Sequence, residues 1–305
     1  MARIVIAGGT GVVGRHLCRV ARREGHQLLL LSRRPGPEVA VWDPAAAARG
    51  DERALDALAQ ALLGADLLVN LAGSSLAEGR LGARHRELVL SSRGEATRAL
   101  VQAHRRCPRP PGVLLSASAV GFYGDTGEAE VDEQAPAGKD FLAGVCQRWE
   151  GEARALEDRA RVVLLRIGLV LASDAPAWEK LVGPIKLGLG GRLGSGRQWW
   201  SWIDAGDLAR AILVLGAREG AAGPFNLTAP EPARQVDLVR QAALLLGRPA
   251  FLPAPALALR LALGGVADAL LLASCRALPR RLQGLGFAFE HASLGSELSA
   301  LLPAR

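Results

Sequence analysis

Glycines at positions 8, 11 and 14, set directly behind a short apolar run, constrain this chain more than anything else in it. Residues Arg3 to Ala7 (RIVIA) read as a buried strand, and Gly8-Gly9-Thr10-Gly11-Val12-Val13-Gly14 follows without a break. Lacking a Cβ, Gly8 and Gly11 let the backbone turn sharply and approach a pyrophosphate, and Gly14 lets the next helix lie close to the strand. That helix is amphipathic (Val13, Leu17, Val20, Ala21), and its N-terminus offers unsatisfied N–H groups to an anion. The spacing is that of a dinucleotide-binding Rossmann turn, with Thr10, Val12 and Val13 as further cofactor-binding positions.

Many chains with this turn carry a Tyr-x-x-x-Lys pair that moves a proton beside a nicotinamide. Here the composition excludes it: the one tyrosine is Tyr123, and Gly127 stands four residues later. Apolar strand-like runs nevertheless alternate with helical patterns as in a parallel sheet wrapped by helices. Strands are expected at Arg3–Ala7, Gln27–Ser32, Val39–Trp42, Leu67–Leu71, Val113–Ser118, Val162–Ile167 and Phe225–Thr228. Helices are expected over Asp51–Leu63, with Asp51 as N-cap, and over Leu81–His104, and a surface loop at Ala45–Ala48. The fold class is therefore α/β, a doubly wound Rossmann sheet with a smaller, mostly helical C-terminal substrate lobe. The expected division is 1–230 for the dinucleotide-binding Rossmann domain, with 172–204 contributing to the substrate lobe, and 231–305 for the C-terminal lobe.

At 305 residues and 50% hydrophobic content the chain can bury a sizeable core. Met1 leads straight into a strand, so no signal peptide is expected. The apolar stretch Phe251–Cys275 is interrupted by Arg260 and Asp268, which argues for a buried or interface helix and against a membrane span. Cys18, Cys107, Cys146 and Cys275 lie far apart with no CxxC pair, which suits a reducing cytoplasm and argues against a metal site. The net charge of +7 is carried largely by scattered arginine doublets without interleaved aromatics, a solvated basic surface and not a nucleic-acid stripe. A monomer or homodimer acting on an unidentified small molecule is expected.

The second strand ends in Ser32-Arg33-Arg34, where an acid would hydrogen-bond the ribose of NAD; serine and arginine instead suit a 2′-phosphate, so NADP(H) is expected. Val69-Asn70-Leu71-Ala72-Gly73 supplies small residues at the next strand end for the adenosine side of the cofactor, or else a tight turn. Arg93 lies on the following helix, facing either the cleft or solvent. Ser118 closes the fifth strand and Tyr123 follows in its loop; they either polarise a substrate oxygen and hold a proton for it, or cap the turn and pack the loop.

The segments AGGTGVVG, VNLAGSSL, SASAVGFYGD, DEQAPAGKDFLAGVCQRWE, LRIGLVL, GSGRQWWSWID and FNLTAPEPAR, in this order, resemble epimerase-family proteins of the extended short-chain dehydrogenase/reductase superfamily, in particular the atypical family 39U. The resemblance implies NADP binding by Gly8, Gly11, Gly14, Ser32, Arg33, Leu71, Ala72, Arg93 and Val170, with Ser118 at the place of the superfamily's catalytic serine. It also implies that Leu142 and Cys146 stand where the tyrosine and lysine would be, and leucine carries no proton. A second departure is Asp204, where the family's Trp-Ile-His segment reads Trp202-Ile203-Asp204. These readings leave two functions open: an epimerase-like oxidoreductase with a non-standard proton donor, or a non-catalytic NADP(H)-dependent binding or sensing protein.

Overall fold

In the computed structural model, which describes residues 1–75 and 82–302, the chain folds around a seven-stranded sheet. Its order is Gly223–Leu227, Arg161–Ile167, Val113–Ala119, Leu67–Asn70, Arg3–Ala7, Gln27–Ser32, Val39–Val41, and every neighbouring pair is parallel. Each strand falls within a residue or two of its expected position. The chain starts in the middle, runs to one edge, then returns to build the other half, so the order reverses beside Arg3–Ala7. Ligands of open α/β sheets bind at such a reversal, outside the carboxyl ends of the strands.

The alternation along each strand sorts side chains between two layers. Ile4, Ile6, Val163 and Leu165 join the helices Val12–Arg23 and Ala205–Ala217 through Leu17, Leu208 and Ile212. Val5, Ala7, Val162 and Leu164 face the other way, against Leu58 of Glu52–Leu62 and Leu100 of Ala83–Arg106. A third core gathers Leu171, Trp178, Trp200, Trp202, Leu238 and Leu298 into a second lobe. Three short strand pairs tie that lobe in: Leu169–Leu171 with Trp202–Asp204, Trp199–Trp200 with Ala233–Arg234, and Glu130–Val131 with Arg276–Ala277.

One local expectation is corrected, and of the buried or interface helix expected after Phe251 only the buried alternative falls. Residues Pro44–Ala48 form a short helix, not a loop, because the Asp43 carboxylate accepts from Ala45 N and Ala46 N and Pro44 begins the first turn; Ala47 is buried. The stretch after Phe251 holds the helix Ala256–Leu263, none of whose residues is buried. Among the described residues no helix is long and apolar enough to cross a membrane.

Asp204 is a helix cap: its carboxylate accepts from Asp207 N at 2.7 Å and opens the helix Ala205–Ala217. Asp207 in turn accepts from Glu290 N and His291 N, fastening the C-terminal tail. Nearby lies Glu297, 1% exposed, whose oxygens have no hydrogen-bond partner among the described residues and lie 3.7 Å from His291 Nδ1. Burial, then the charges of Asp204 and Asp207, push its pKa up to about 8. A carboxyl raised in the folded state contributes stability that is fully present below its ordinary value and is lost as pH rises through the raised one. The Tm of Glu297→Gln relative to the parent should therefore climb by several degrees between about pH 5 and about pH 9. A pH-independent difference in thermal melts would show that Glu297 is ionised throughout.

Candidate functional site

The turn after the first strand is built as its glycines require. Gly8 has φ +81°, and a Cβ on it would lie 2.6 Å from the Leu71 carbonyl. A Cβ on Gly14 would lie 2.4 Å from Gly8 O, so helix and turn are in direct backbone contact. Among the described residues, apart from its chain neighbours and its own helix backbone, only Gly8 O comes within 4 Å of a Cβ at Gly11, at 3.4 Å, which leaves room above the turn. Gly11 is also the N-cap of Val12–Arg23; no side chain caps this end and no acid stands in its first turn. Thr10 and Gly11 are exposed at the tip, Val13 packs on the sheet core, and Val12 packs, with Val170, on the second lobe. Arg15 and His16 extend the link to that lobe by donating to Asp174, whose carboxyl they hold down at about 2.

Around this cradle the strand ends present the expected residues. Ser32 Oγ accepts from Arg34 N at 3.2 Å, and Arg33 and Arg34 are exposed. Asn70 organises the next strand end: its Oδ1 accepts from Ala72 N, and its amide donates to Thr97 Oγ1 and Ser116 Oγ. Leu71 N donates to Ala7 O, which binds this turn to the first strand. Gly73 is small for a specific reason, since the Arg93 side chain passes 3.2 Å from where its Cβ would be. Arg93 donates to Val89 O and lies over the Trp149 ring at 5.1 Å; burial lowers its pKa.

Ser118 and Tyr123 are brought together, but through a network sequence reasoning did not find. Ser118, Arg166 and Asn226 sit in one row across three strands. The Glu150 carboxylate, on the helix Phe141–Arg154, accepts from Ser118 Oγ at 2.8 Å and from Arg166 Nε and Nη2 at 2.8 and 3.0 Å. Arg166 Nη1 donates to Tyr123 Oη at 3.0 Å, and Tyr123 donates to Asn226 Oδ1 at 2.7 Å. The Asn226 side-chain amide donates to Leu278 O at 2.9 Å, and its backbone N–H donates to the Glu133 carboxylate at 3.0 Å. The Arg166 guanidinium lies 3.5 Å from the centre of the Phe122 ring. Ser118, Tyr123, Glu150 and Arg166 are all at most 4% exposed.

This geometry weighs against Tyr123 as a proton donor to the cleft. Its hydrogen is given to Asn226, and burial pushes its pKa up to about 12. Leu142 packs against Gly121, and the buried Cys146 thiol is pushed up to about 11 by burial while donating to Ala119 O. The sequence did carry one signal of the network: Arg166 is a charge inside the buried strand run RVVLLRI.

Two cavities bear on the site. One of about 830 Å³ opens at the amino ends of the strands, beside Arg161, Leu213 and Phe287, away from the turn. One of about 350 Å³ lies beside Leu142, between Phe141, Asp125 and Asp140 and the C-terminal Arg260, Asp268 and Leu272. The smaller is at the carboxyl ends, where ligands of this sheet type sit, and it is the candidate substrate cavity.

Tyr123→Phe leaves Asn226 Oδ1 and one Arg166 N–H short of a partner inside this network. Urea unfolding should show a loss of about 1–3 kcal/mol, and Glu150→Gln, which leaves the guanidinium uncompensated, about 3–5 kcal/mol. Unchanged stability in both variants would dissolve the network as a structural unit.

The model of the NAD dependent epimerase/dehydratase family matches residues 4–227, and that of a domain of unknown function matches 254–301. The chain is 32% identical over 303 residues to the human epimerase family protein SDR39U1, covering 98% of this chain and 99% of that protein. It is 36% identical over 300 residues to an epimerase family protein of Mycobacterium tuberculosis, covering 97% and 96%. The crystal structure of human SDR39U1 (isoform 2) with NADPH is similar at a TM-score of 0.90, 32% identity, and 98% and 99% coverage. A nucleoside-diphosphate sugar epimerase from Corynebacterium glutamicum is similar at a TM-score of 0.78 and 30% identity, over 99% of this chain and 58% of that one. With the glycine cradle, the strand reversal and these matches over nearly its whole length, the chain belongs to the NAD-dependent epimerase/dehydratase family.

Proposed function

We propose that the chain is an NADP(H)-binding oxidoreductase of the epimerase-like short-chain dehydrogenase/reductase type, acting on a small molecule. The observation that carries this reading is the open, uncapped helix N-terminus above Gly11, with Ser32 and Arg33 at the neighbouring strand end. The pyrophosphate is assigned to Gly8, Thr10, Gly11, Val12, Val13 and Gly14, and the 2′-phosphate to Ser32 and Arg33. Leu71, Ala72, Gly73, Arg93 and Val170 line the remaining path. The binding of NADPH by human SDR39U1 supports the same assignment. When bound, the nicotinamide supplies or accepts a hydride. Ser118, at the strand's carboxyl end, is assigned to hold the substrate oxygen, with Glu150 fixing the hydroxyl and Tyr123 acting behind it through Arg166. The four unpaired thiols fit a reducing, cytoplasmic setting.

One observation favours a second reading, in which the bound nucleotide organises a surface for a partner and no reaction occurs. Leu142 carries no proton, and burial makes Cys146 and Tyr123 poor acids at neutral pH. A screen of aldehydes, ketones and nucleotide sugars for NADPH consumption separates the two. Turnover that falls by roughly 10²-fold or more in Ser118→Ala supports the enzyme; tight NADPH binding without any consumption supports the sensor.

Calorimetric titration should show NADPH binding at least about tenfold more tightly than NADH, a preference lost in Arg33→Ala. Gly11→Val should keep the parent's melting temperature and lose nucleotide binding, because a side chain there meets only the space above the turn. Equal affinities for the two nucleotides, or full NADPH binding by Gly11→Val, would remove the cofactor from this site.

A further inference from the structure

The helix Ala256–Leu263 (ALALRLAL) is apolar in composition and buries none of its residues. An apolar helix of a globular protein ordinarily lays a stripe on a core. Here Leu257 stays exposed, and so do Leu187, Leu189, Phe251 and Leu252, with Leu187 and Phe251 at 74% and 73%. These residues share one surface. Leu252 N donates to Gly190 O at 3.1 Å, Ala254 N to Arg192 O at 2.9 Å and Gly194 N to Ala254 O at 2.8 Å, so residues 187–194 run beside 249–256. At Gly191 the approach is too close for any side chain, since a Cβ would overlap the Leu252 carbonyl.

Charge selects the occupant of this face. Residues 186–192 (KLGLGGR) and 248–260 (RPAFLPAPALALR) contain Lys186, Arg192, Arg248 and Arg260 and no carboxylate. All four cations are exposed. Arg260 pairs with Asp268 at 2.9 Å, and among the described residues Lys186, Arg192 and Arg248 have no ion-pair partner. A second copy of the chain would set like charges against one another. An anionic lipid surface would pair them, while the leucines and Phe251 enter the boundary between headgroups and acyl chains.

We propose that this face docks the protein, lying in the plane of the interface, on membranes that carry anionic lipid. The helix Ala256–Leu263 contributes Leu257 to the face and Arg260 to the wall of the 350 Å³ cavity, so docking holds that cavity beside the lipid.

The test is co-sedimentation of the full chain with vesicles of phosphatidylcholine alone and of phosphatidylcholine mixed with phosphatidylglycerol. Binding is expected to the mixed vesicles only and to weaken with added salt. The double variants Leu187→Ser/Phe251→Ser and Lys186→Glu/Arg248→Glu should each weaken it roughly tenfold or more while keeping the parent's melting temperature, because all four side chains are exposed. No binding to the mixed vesicles, or binding undiminished in both variants, overturns the proposal. So does a concentration-dependent dimer in analytical ultracentrifugation that Leu187→Ser/Phe251→Ser abolishes, which would give the face to a second copy.

Discussion

The buried ion pair of Glu150 and Arg166 is the contact on which the site end of the molecule depends. Withdrawing two charges from water costs several kcal/mol each, and attraction alone rarely repays it. The pair survives because the hydrogen-bonding capacity of the strand row is turned toward it. Glu150 accepts from Ser118 as well as from Arg166, and Arg166 reaches Tyr123 and the Phe122 ring. One pair therefore joins two adjacent strands, the helix Phe141–Arg154, the loop after Ala119 and, through Asn226 and Leu278, the C-terminal segment.

The same arrangement sets the state of this chain's one tyrosine. A Tyr-x-x-x-Lys pair, in which the lysine lowers the tyrosine's pKa to move a proton, is missing from this sequence. The tyrosine that remains is fixed in the opposite sense: raised by burial, and hydrogen-bonded as a strut. Ser118 is the member of the row with the shortest side chain, it is 3% exposed, and its hydroxyl donates to Glu150. With that hydrogen committed, its oxygen can only accept from a further partner.

The sheet was legible because its central strands are buried on both faces and bounded by turns, so runs such as RIVIA and RVVLLRI stand out by composition alone. The cradle was legible for a related reason: Gly8 and Gly14 have contacts that admit no other residue. The network was not, because Glu150 and Arg166 meet only when a helix packs across strand ends, and neither spacing nor hydrophobic period records that packing. Asp204 read as an exchanged histidine, and the structure gives it a local task, capping the helix Ala205–Ala217, with a carboxylate left close to buried Glu297. Ala45–Ala48 looked like a loop because alanine carries no amphipathic pattern; the cap, Asp43, lies two residues before that run.

The cradle and the second lobe are joined by two contacts of different strength. Arg15 and His16 reach Asp174 at 2.7 and 2.9 Å, but Arg15 and Asp174 are 44% and 39% exposed, and ion pairs of that kind contribute about 0–1 kcal/mol. Val12 and Val170, by contrast, are half-buried against the lobe's apolar core, where full burial of such a side chain would contribute roughly 1.5–3 kcal/mol and partial burial a share of it. Apolar contact thus sets the position of the lobe against the turn, and the ion pairs orient it. Since Val12 is the first residue of the helix Val12–Arg23, the lobe cannot withdraw without uncovering the start of the helix behind the glycine turn.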